Sequence, residues 1–284
     1  MNLGKSALFA DGRLPEYQEN SYSQTSTWPM VTVSEYGTLC LDYGLVAALV
    51  SINREKRERR GMILCGCGRL DGTEISEAIS TAIHLRQKDM KPLFYAPDIE
   101  ICGIVDHFTR EIDTTCPSRN ALVEAARLAR ACIKPLTECE ACTHDALIIP
   151  GGFGAARTLS NFVEKGANCT VLPDLEKLIE DFYCEKKPIG SMCIASVLIA
   201  KVLKGVKVTL GKESPKECWP YADAIKKVKE MGAKVEMKDV KGVTRCKKYN
   251  VVSTPAWLYE PATYADIHEG IGKLVTMLKK CINK

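Results

Sequence analysis

From Gly61 onward the chain repeats one pattern: a short apolar run, a turn of Gly, Pro or Asp, then a longer stretch with apolar residues at helical spacing. The apolar runs are Met62-Ile63-Leu64, Lys91 to Tyr95, Asp145 to Ile149, Pro188 to Met192, Val206 to Leu210, Ala233 to Met237 and Asn250 to Thr254. Between them, helices are predicted over 73–87, 120–131, 174–184, 194–203 and 221–231, with a last one over 262–280. In the first of these the periodic positions are Ile75, Ala78, Ile79, Ala82 and Ile83. Runs this short, separated by helices, bury both faces of a parallel sheet, so the fold class is α/β with a doubly wound, mostly parallel sheet. In such a sheet the functional residues gather at the carboxyl ends of the strands.

The part before Gly61 reads differently. Gly12 to Thr38 is rich in Ser, Thr, Tyr, Pro and Glu without a steady period, which predicts a partly disordered extension over residues 1–60 ahead of one domain over 61–284. Cys40 to Ile52 is apolar, and a charge run from Arg54 to Arg60 follows it. The acids Asp11, Glu16, Glu19 and Glu35 argue against a mitochondrial presequence, leaving an intracellular protein, cytoplasmic or mitochondrial, with no clear targeting signal.

Charge and cysteine usage exclude several functions. The net charge is +4, and residues 201–284 hold 18 Lys and Arg against 9 Asp and Glu. Those lysines are interspersed with apolar positions rather than clustered with aromatics, so they read as solvated helix faces and not as a nucleic-acid surface. Fourteen cysteines in a long chain with this alternation point to reduced thiols rather than a disulfide framework. Cys65-x-Cys67 and Cys139-x-x-Cys142 resemble halves of a zinc site, but neither has a second pair at ligand spacing, so no metal is expected. No run of 18 apolar residues is present, so no membrane-spanning helix is expected. Gly66-Cys67-Gly68 followed by Gly72 is one residue too long for a dinucleotide fingerprint, which argues against a nucleotide cofactor.

The chemistry centres on Lys187-Pro188-Ile189-Gly190-Ser191-Met192-Cys193-Ile194-Ala195. A short strand that ends on Cys193 and turns at once into an apolar helix is a nucleophile elbow, which holds its nucleophile in strained backbone next to small residues. A helix N-terminus there favours the thiolate and is expected to lower the thiol pKa. The alternative is an inert cysteine buried in a parallel strand. Gly151 and Gly152, straight after the buried run ending at Ile149, leave backbone N–H groups free of Cβ obstruction and form a candidate oxyanion loop.

Pro150-Gly151-Gly152-Phe153-Gly154-Ala155-Ala156, Leu159-Ser160-Asn161-Phe162 and Pro188-Ile189-Gly190-x-x-Cys193-Ile194-Ala195 together resemble the PfpI-type branch of the class I glutamine amidotransferase-like superfamily. Gly66-Cys67-Gly68-x-x-Asp71-Gly72-Thr73-Glu74-Ile75, Ala96-Pro97-Asp98, Ser118-Arg119-Asn120 and Ser253-Thr254-Pro255-Ala256 resemble the ElbB subgroup, the lycopene-biosynthesis-enhancing proteins. The resemblance implies a flavodoxin-like three-layer sandwich, a homodimer, and glutathione-independent glyoxalase chemistry on a small dicarbonyl without cofactor. It assigns Cys193 as nucleophile and Glu77 as acid/base, with Glu74 one helical turn away as the alternative. It places the backbone N–H groups of Gly152 and Ile194, beside Gly151, at the oxyanion positions.

The departures from that pattern matter equally. An amidotransferase activates its cysteine with a histidine just past the last strand, whereas this chain has Ser253-Thr254-Pro255-Ala256 there. His268 is expected to be structural, and His84, His107 and His144 have no evident partner in the sequence. Glutaminase activity is therefore not expected. A redox sensor using the same Cys193 without turnover is the alternative function. Arg59-Arg60 stands where apolar strand residues are expected and is predicted to weaken the central sheet.

Overall fold

The computed structural model describes residues 59–115 and 117–282. The extension expected over residues 1–60 lies outside the described residues except at its last two positions, which already form the first strand. The strands of the main sheet are β1 (Arg59–Ile63), β2 (Lys91–Ala96), β3 (Ile133–Pro135), β4 (Ala146–Ile149), β5 (Ile189–Met192), β8 (Thr244–Cys246) and β9 (Val251–Thr254). The main helices are α1 (Ile75–Arg86), α2 (Ala121–Ala125), α3 (Phe153–Arg157), α4 (Phe162–Lys165), α5 (Pro173–Cys184), α6 (Ser196–Val202), α7 (Asp223–Glu230) and α8 (Tyr264–Ile282). No described helix is long and apolar enough to cross a membrane.

The seven strands run in the order β3-β2-β1-β4-β5-β9-β8. All pairs are parallel except β8 with β9, which is antiparallel. This is the expected flavodoxin-like α/β sandwich. β4 and β5 carry fully buried runs, Ala146 to Ile149 and Ile189 to Met192, as strands covered on both faces require. Their register, Ile148 beside Gly190 and Ile149 beside Ser191, brings the loop after β4 alongside the turn after β5.

Several elements differ from the sequence reading. Val206 to Leu210 and Ala233 to Met237 do not extend the main sheet; β6 (Lys207–Val208) and β7 (Lys234–Val235) pair only with each other. The antiparallel edge strand β8 carries no apolar run and was not predicted. The stripe Ile75, Ile79 and Ile83 on α1 faces outward, 48%, 39% and 42% exposed, while Glu77, Ala78, Ser80, Thr81 and Leu85 face inward. Tertiary packing against α8 and the site, rather than local periodicity, sets the roll of this helix.

Arg59-Arg60 does not weaken the sheet. Arg60 is buried in β1 and its Nη1 donates to Asp145 Oδ2 at 2.7 Å, just before β4, the neighbouring strand. The ion pair replaces the apolar contact that the position lacks, and leaving either charge alone there would be costly.

Candidate active site

β5 ends at Met192, and Cys193 takes φ +53, a left-handed conformation that is strained for any residue with a Cβ. A single helical turn, Cys193–Ala195, then leads into α6. This is the elbow expected from the sequence. Cys193 is 7% exposed, at the floor of a cavity.

Glu77 enters from α1. Its carboxyl is fully buried; Gly151 N–H donates to Oε2 at 2.7 Å and Trp257 N–H approaches Oε1 at 3.4 Å. The Cys193 thiol lies beside this carboxyl: a Cβ at position 151 would come 2.7 Å from Glu77 Oε2 and 3.0 Å from Cys193 Sγ. The acid/base carboxylate and the nucleophile expected from the resemblance are thus brought side by side. Glu74 takes a different place: it caps α1, its Oε2 accepting from Glu77 N–H at 2.7 Å and from the Ser76 hydroxyl at 2.6 Å, and it lines the cavity without bonding to the sulfur.

The glycine loop contributes in two ways. The backbone N–H groups of Gly152 (φ +97) and Ile194, which the resemblance assigns to the oxyanion, lie close enough to the Cys193 sulfur to favour its charged form. Gly151, expected beside them, instead commits its N–H to Glu77. A Cβ at position 151 would lie 2.4 Å from Cys193 Cβ and 2.7 Å from Glu77 Oε2, so only glycine permits the carboxyl and the thiol to meet here.

The electrostatics of the pair correct one expectation. Burial, and then the neighbouring Glu74, push the Glu77 carboxyl up to about 8, against the lowering effect of its N–H donors and the thiol. Burial and the adjacent Glu77 carboxyl raise the Cys193 thiol well above its ordinary range, and the N–H groups of Ile194 and Gly152 offset only part of this. The thiol is therefore not acidified by its helix terminus as the sequence implied. The two groups cannot both ionise in so small a space, and near neutral pH the carboxyl is mostly protonated.

Three site residues were not legible in the sequence. Arg69, in the turn after β1, Tyr221, before α7, and Trp257, after β9, line the cavity together with Phe153, Ile194 and Leu258. The Trp257 indole N–H donates to Ser76 Oγ at 2.7 Å, and Arg69 Nη2 donates to Tyr221 at 3.1 Å and to Glu260 at 3.3 Å. Trp257 follows the strained Ala256 (φ +47), where an amidotransferase histidine would be sought. The cavity is small and opens to solvent past these side chains.

The histidines stand apart from this centre. His84 and His268 stack at 4.1 Å between α1 and α8, with His84 Nε2 on His268 O at 2.8 Å and His268 Nδ1 on Ser80 Oγ at 3.2 Å. His144 is buried, with Nε2 on the Tyr95 hydroxyl at 3.1 Å, and His107 lies 3.8 Å from Asp71. The side-chain partners Ser80, Tyr95 and Asp71 sit 36 or more residues away in sequence, which is why they were not visible there. Among the described residues no group of three or more His, Cys, Asp or Glu is placed to hold a metal ion.

An elbow cysteine, a glycine loop after the preceding sheet neighbour and this strand order define a class I glutamine amidotransferase-like protein. A solved structure of an isoprenoid biosynthesis protein with an amidotransferase-like domain from Ehrlichia chaffeensis matches with a TM-score of 0.70 at 27% identity, covering 78% of this chain and 98% of that one. No family model matches the chain. The chain is 43% identical over 242 residues to the mitochondrial ES1 protein homolog of Rattus norvegicus, covering 84% of this chain and 89% of the relative. It is 42% identical over 227 residues to the mitochondrial glutamine amidotransferase-like class 1 domain-containing protein 3 of Homo sapiens, covering 80% and 84%. The chain belongs to this family of ES1 and glutamine amidotransferase-like class 1 domain-containing proteins.

Proposed function

We propose that the protein is a cofactor-independent glyoxalase of ElbB type, converting glyoxal or a similarly small α-oxo aldehyde into the hydroxy acid. The observation that carries this reading is the placement of the Glu77 carboxyl beside the Cys193 thiol at the floor of a small cavity. Because the carboxyl titrates near neutrality, at about 8, it both gives and takes protons at working pH. In its ionised form Glu77 takes the thiol proton as sulfur attacks the aldehyde carbon. The carbonyl electron pair moves to oxygen, which is protonated, giving a hemithioacetal. The N–H groups of Gly152 and Ile194 stand beside the sulfur where that oxygen develops charge. Glu77 then moves a proton from the sulfur-bearing carbon to the adjacent carbonyl carbon through an enediol, leaving a thioester. Water cleaves it to the hydroxy acid and restores the thiol, with no net oxidation. Incubation of the purified protein with glyoxal alone, following glycolate, tests the reading; no glycolate above a Cys193→Ala control overturns it.

The sensor alternative is less well supported. Redox-sensing thiols are accessible and of low pKa, whereas Cys193 is buried and its pKa is raised. Glutaminase chemistry lacks its histidine, since Pro255-Ala256-Trp257 fills that place and Trp257 N–H faces Glu77. The rat and human relatives are named as mitochondrial, which supports the mitochondrial side of the expected localisation. The outward Ile75, Ile79 and Ile83 stripe supports the expected homodimer, since an apolar helix face of this length is more often covered than left to water.

A further inference from the structure

Resting on the glyoxalase reading for the identity of the nucleophile, we infer that Arg69 forms a carboxylate subsite at the mouth of the cavity. Its ligands are small aldehydes that also carry a carboxylate, glyoxylate being the smallest. The lining offers two charged side chains, Arg69 and Glu74. Glu74 is already committed, since its carboxylate caps α1 through Glu77 N–H and Ser76. Arg69 is not. Its two described hydrogen bonds, to Tyr221 and Glu260, both use Nη2, at 3.1 and 3.3 Å, and both are long for a charged donor. Among the described residues no hydrogen-bond acceptor is found for Nε or Nη1, and the Arg69 side chain is 41% exposed. A planar fork of this kind matches a carboxylate in two-point fashion better than a lysine would.

The backbone fixes where the fork begins. Arg69 sits in the turn that closes with Gly68 N–H on Thr73 O at 2.9 Å and Gly72 N–H on Gly68 O at 2.8 Å. Its own carbonyl accepts from Phe153 N–H at 2.8 Å, one residue beyond the oxyanion glycine. The cation is therefore tied to the same loop that serves the sulfur. Glyoxal, being neutral, makes no use of it. An aldehyde with a carboxylate does: sulfur bonds to the aldehyde carbon, the new hydroxyl takes the thiol proton by way of Glu77, and the carboxylate rests on Arg69. With glyoxylate the sequence stops at the reversible hemithioacetal, because no second aldehyde or ketone carbon is present to receive the proton. Without a cation at the mouth, such an anion would meet only the Glu74 carboxylate among the charged groups of the lining, which repels it.

The test compares two alkylating agents of nearly the same shape, iodoacetate and iodoacetamide, on Cys193 in the full-length protein. The quantity read is the ratio of their rate constants, which cancels changes in the thiol itself and needs no turnover. Arg69→Met is expected to lower the iodoacetate-to-iodoacetamide ratio by about tenfold or more, the scale of a lost hydrogen bond to a charged group. Glu260→Gln, which removes the competing carboxylate, is expected to raise it. Glyoxylate should protect Cys193 from iodoacetamide in the native protein and about tenfold less well in Arg69→Met. A ratio unchanged in Arg69→Met overturns the subsite, whether or not glyoxal is turned over. A ratio that falls in a protein making no glycolate keeps the subsite and overturns only the glyoxalase reading.

Discussion

Two strands of the sheet, β1 and β5, run into a turn that carries a buried cysteine, and the two turns behave differently. Cys65, after β1, is held by Thr73: its N–H donates to Thr73 Oγ1 at 2.7 Å, and the same hydroxyl donates to its carbonyl at 3.3 Å. Burial drives that thiol up to about 12, and it does not line the cavity at Cys193. Cys193, after β5, is also buried and also raised, but it has left-handed backbone, the Gly152 and Ile194 N–H groups favouring its charged form, the Glu77 carboxyl beside it and a cavity above. Burial alone therefore does not distinguish a structural thiol from a reactive one. What differs is whether a proton acceptor and charge-stabilising donors are preassembled around the sulfur.

The sharpest way to break that comparison is to remove each thiol in turn. Cys193→Ala is expected to abolish glycolate formation, while Cys65→Ala retains most of it and lowers stability by about 1 kcal/mol, the ordinary scale for a point substitution. Equal loss in both would sink the assignment. Gly151→Ala should act nearly as strongly as Cys193→Ala, because the new Cβ would sit 2.4 Å from Cys193 Cβ and must push the thiol and Glu77 apart. Its readout is glycolate formation alongside a thermal melt, so that lost activity in a folded protein is seen as such.

Glu77→Gln keeps the shape and removes the proton carrier. Turnover is expected to fall by about 10²-fold or more, the usual scale for a general acid/base. Removing the like charge should also move the alkylation midpoint of Cys193 to lower pH, whereas Cys65 and Cys139, each raised to about 12 by burial, stay unlabelled until the protein unfolds. Retained turnover in Glu77→Gln with loss in Glu74→Gln would shift the acid/base role by one turn of α1.

The same carboxyl predicts a stability profile. Its pKa is raised from 4.5 in the unfolded chain to about 8 in the fold, so between these values the native state holds more protons than the unfolded state. Its contribution is fully present below about pH 4.5 and is lost as pH rises through 8. Urea denaturation at pH 4.5 and pH 8.5 should show Glu77→Gln gaining stability relative to the native protein only at the higher pH; a gain of equal size at both would contradict the raised pKa. The smallest expected effect concerns the outer face of α1. Ile79→Glu should leave the melting temperature within a few degrees, as a surface change does, yet shift a homodimer toward monomer in light scattering. A dimer that survives it does not use this stripe.

The elbow and the glycine loop were legible because each is a local event. A strand that stops at Met192 and a helix that starts within three residues leave Cys193 no other conformation, and the Gly151-Gly152 pair marks a close approach by composition alone. The doubly wound sheet was legible for the same reason, since strand and helix periods are short-range properties of the chain. Position 60 shows the limit: an arginine in a strand reads as a defect until Asp145, 85 residues away, supplies its charge partner.

Sequence by itself determined the α/β alternation, the thiol at the elbow and the carboxylates at the start of α1, because each depends on neighbours within a few residues. Only the tertiary structure decided which carboxylate reaches the sulfur. Glu74 and Glu77 lie almost a full turn apart, and the packing of α1 against α8 turns one into the core and leaves the other as a cap. The same packing sends Ile75, Ile79 and Ile83 outward against their own periodicity. It also reverses the expected pKa of Cys193, since helix-terminus electrostatics are local while desolvation and the Glu77 carboxyl arise only when distant segments close over the thiol.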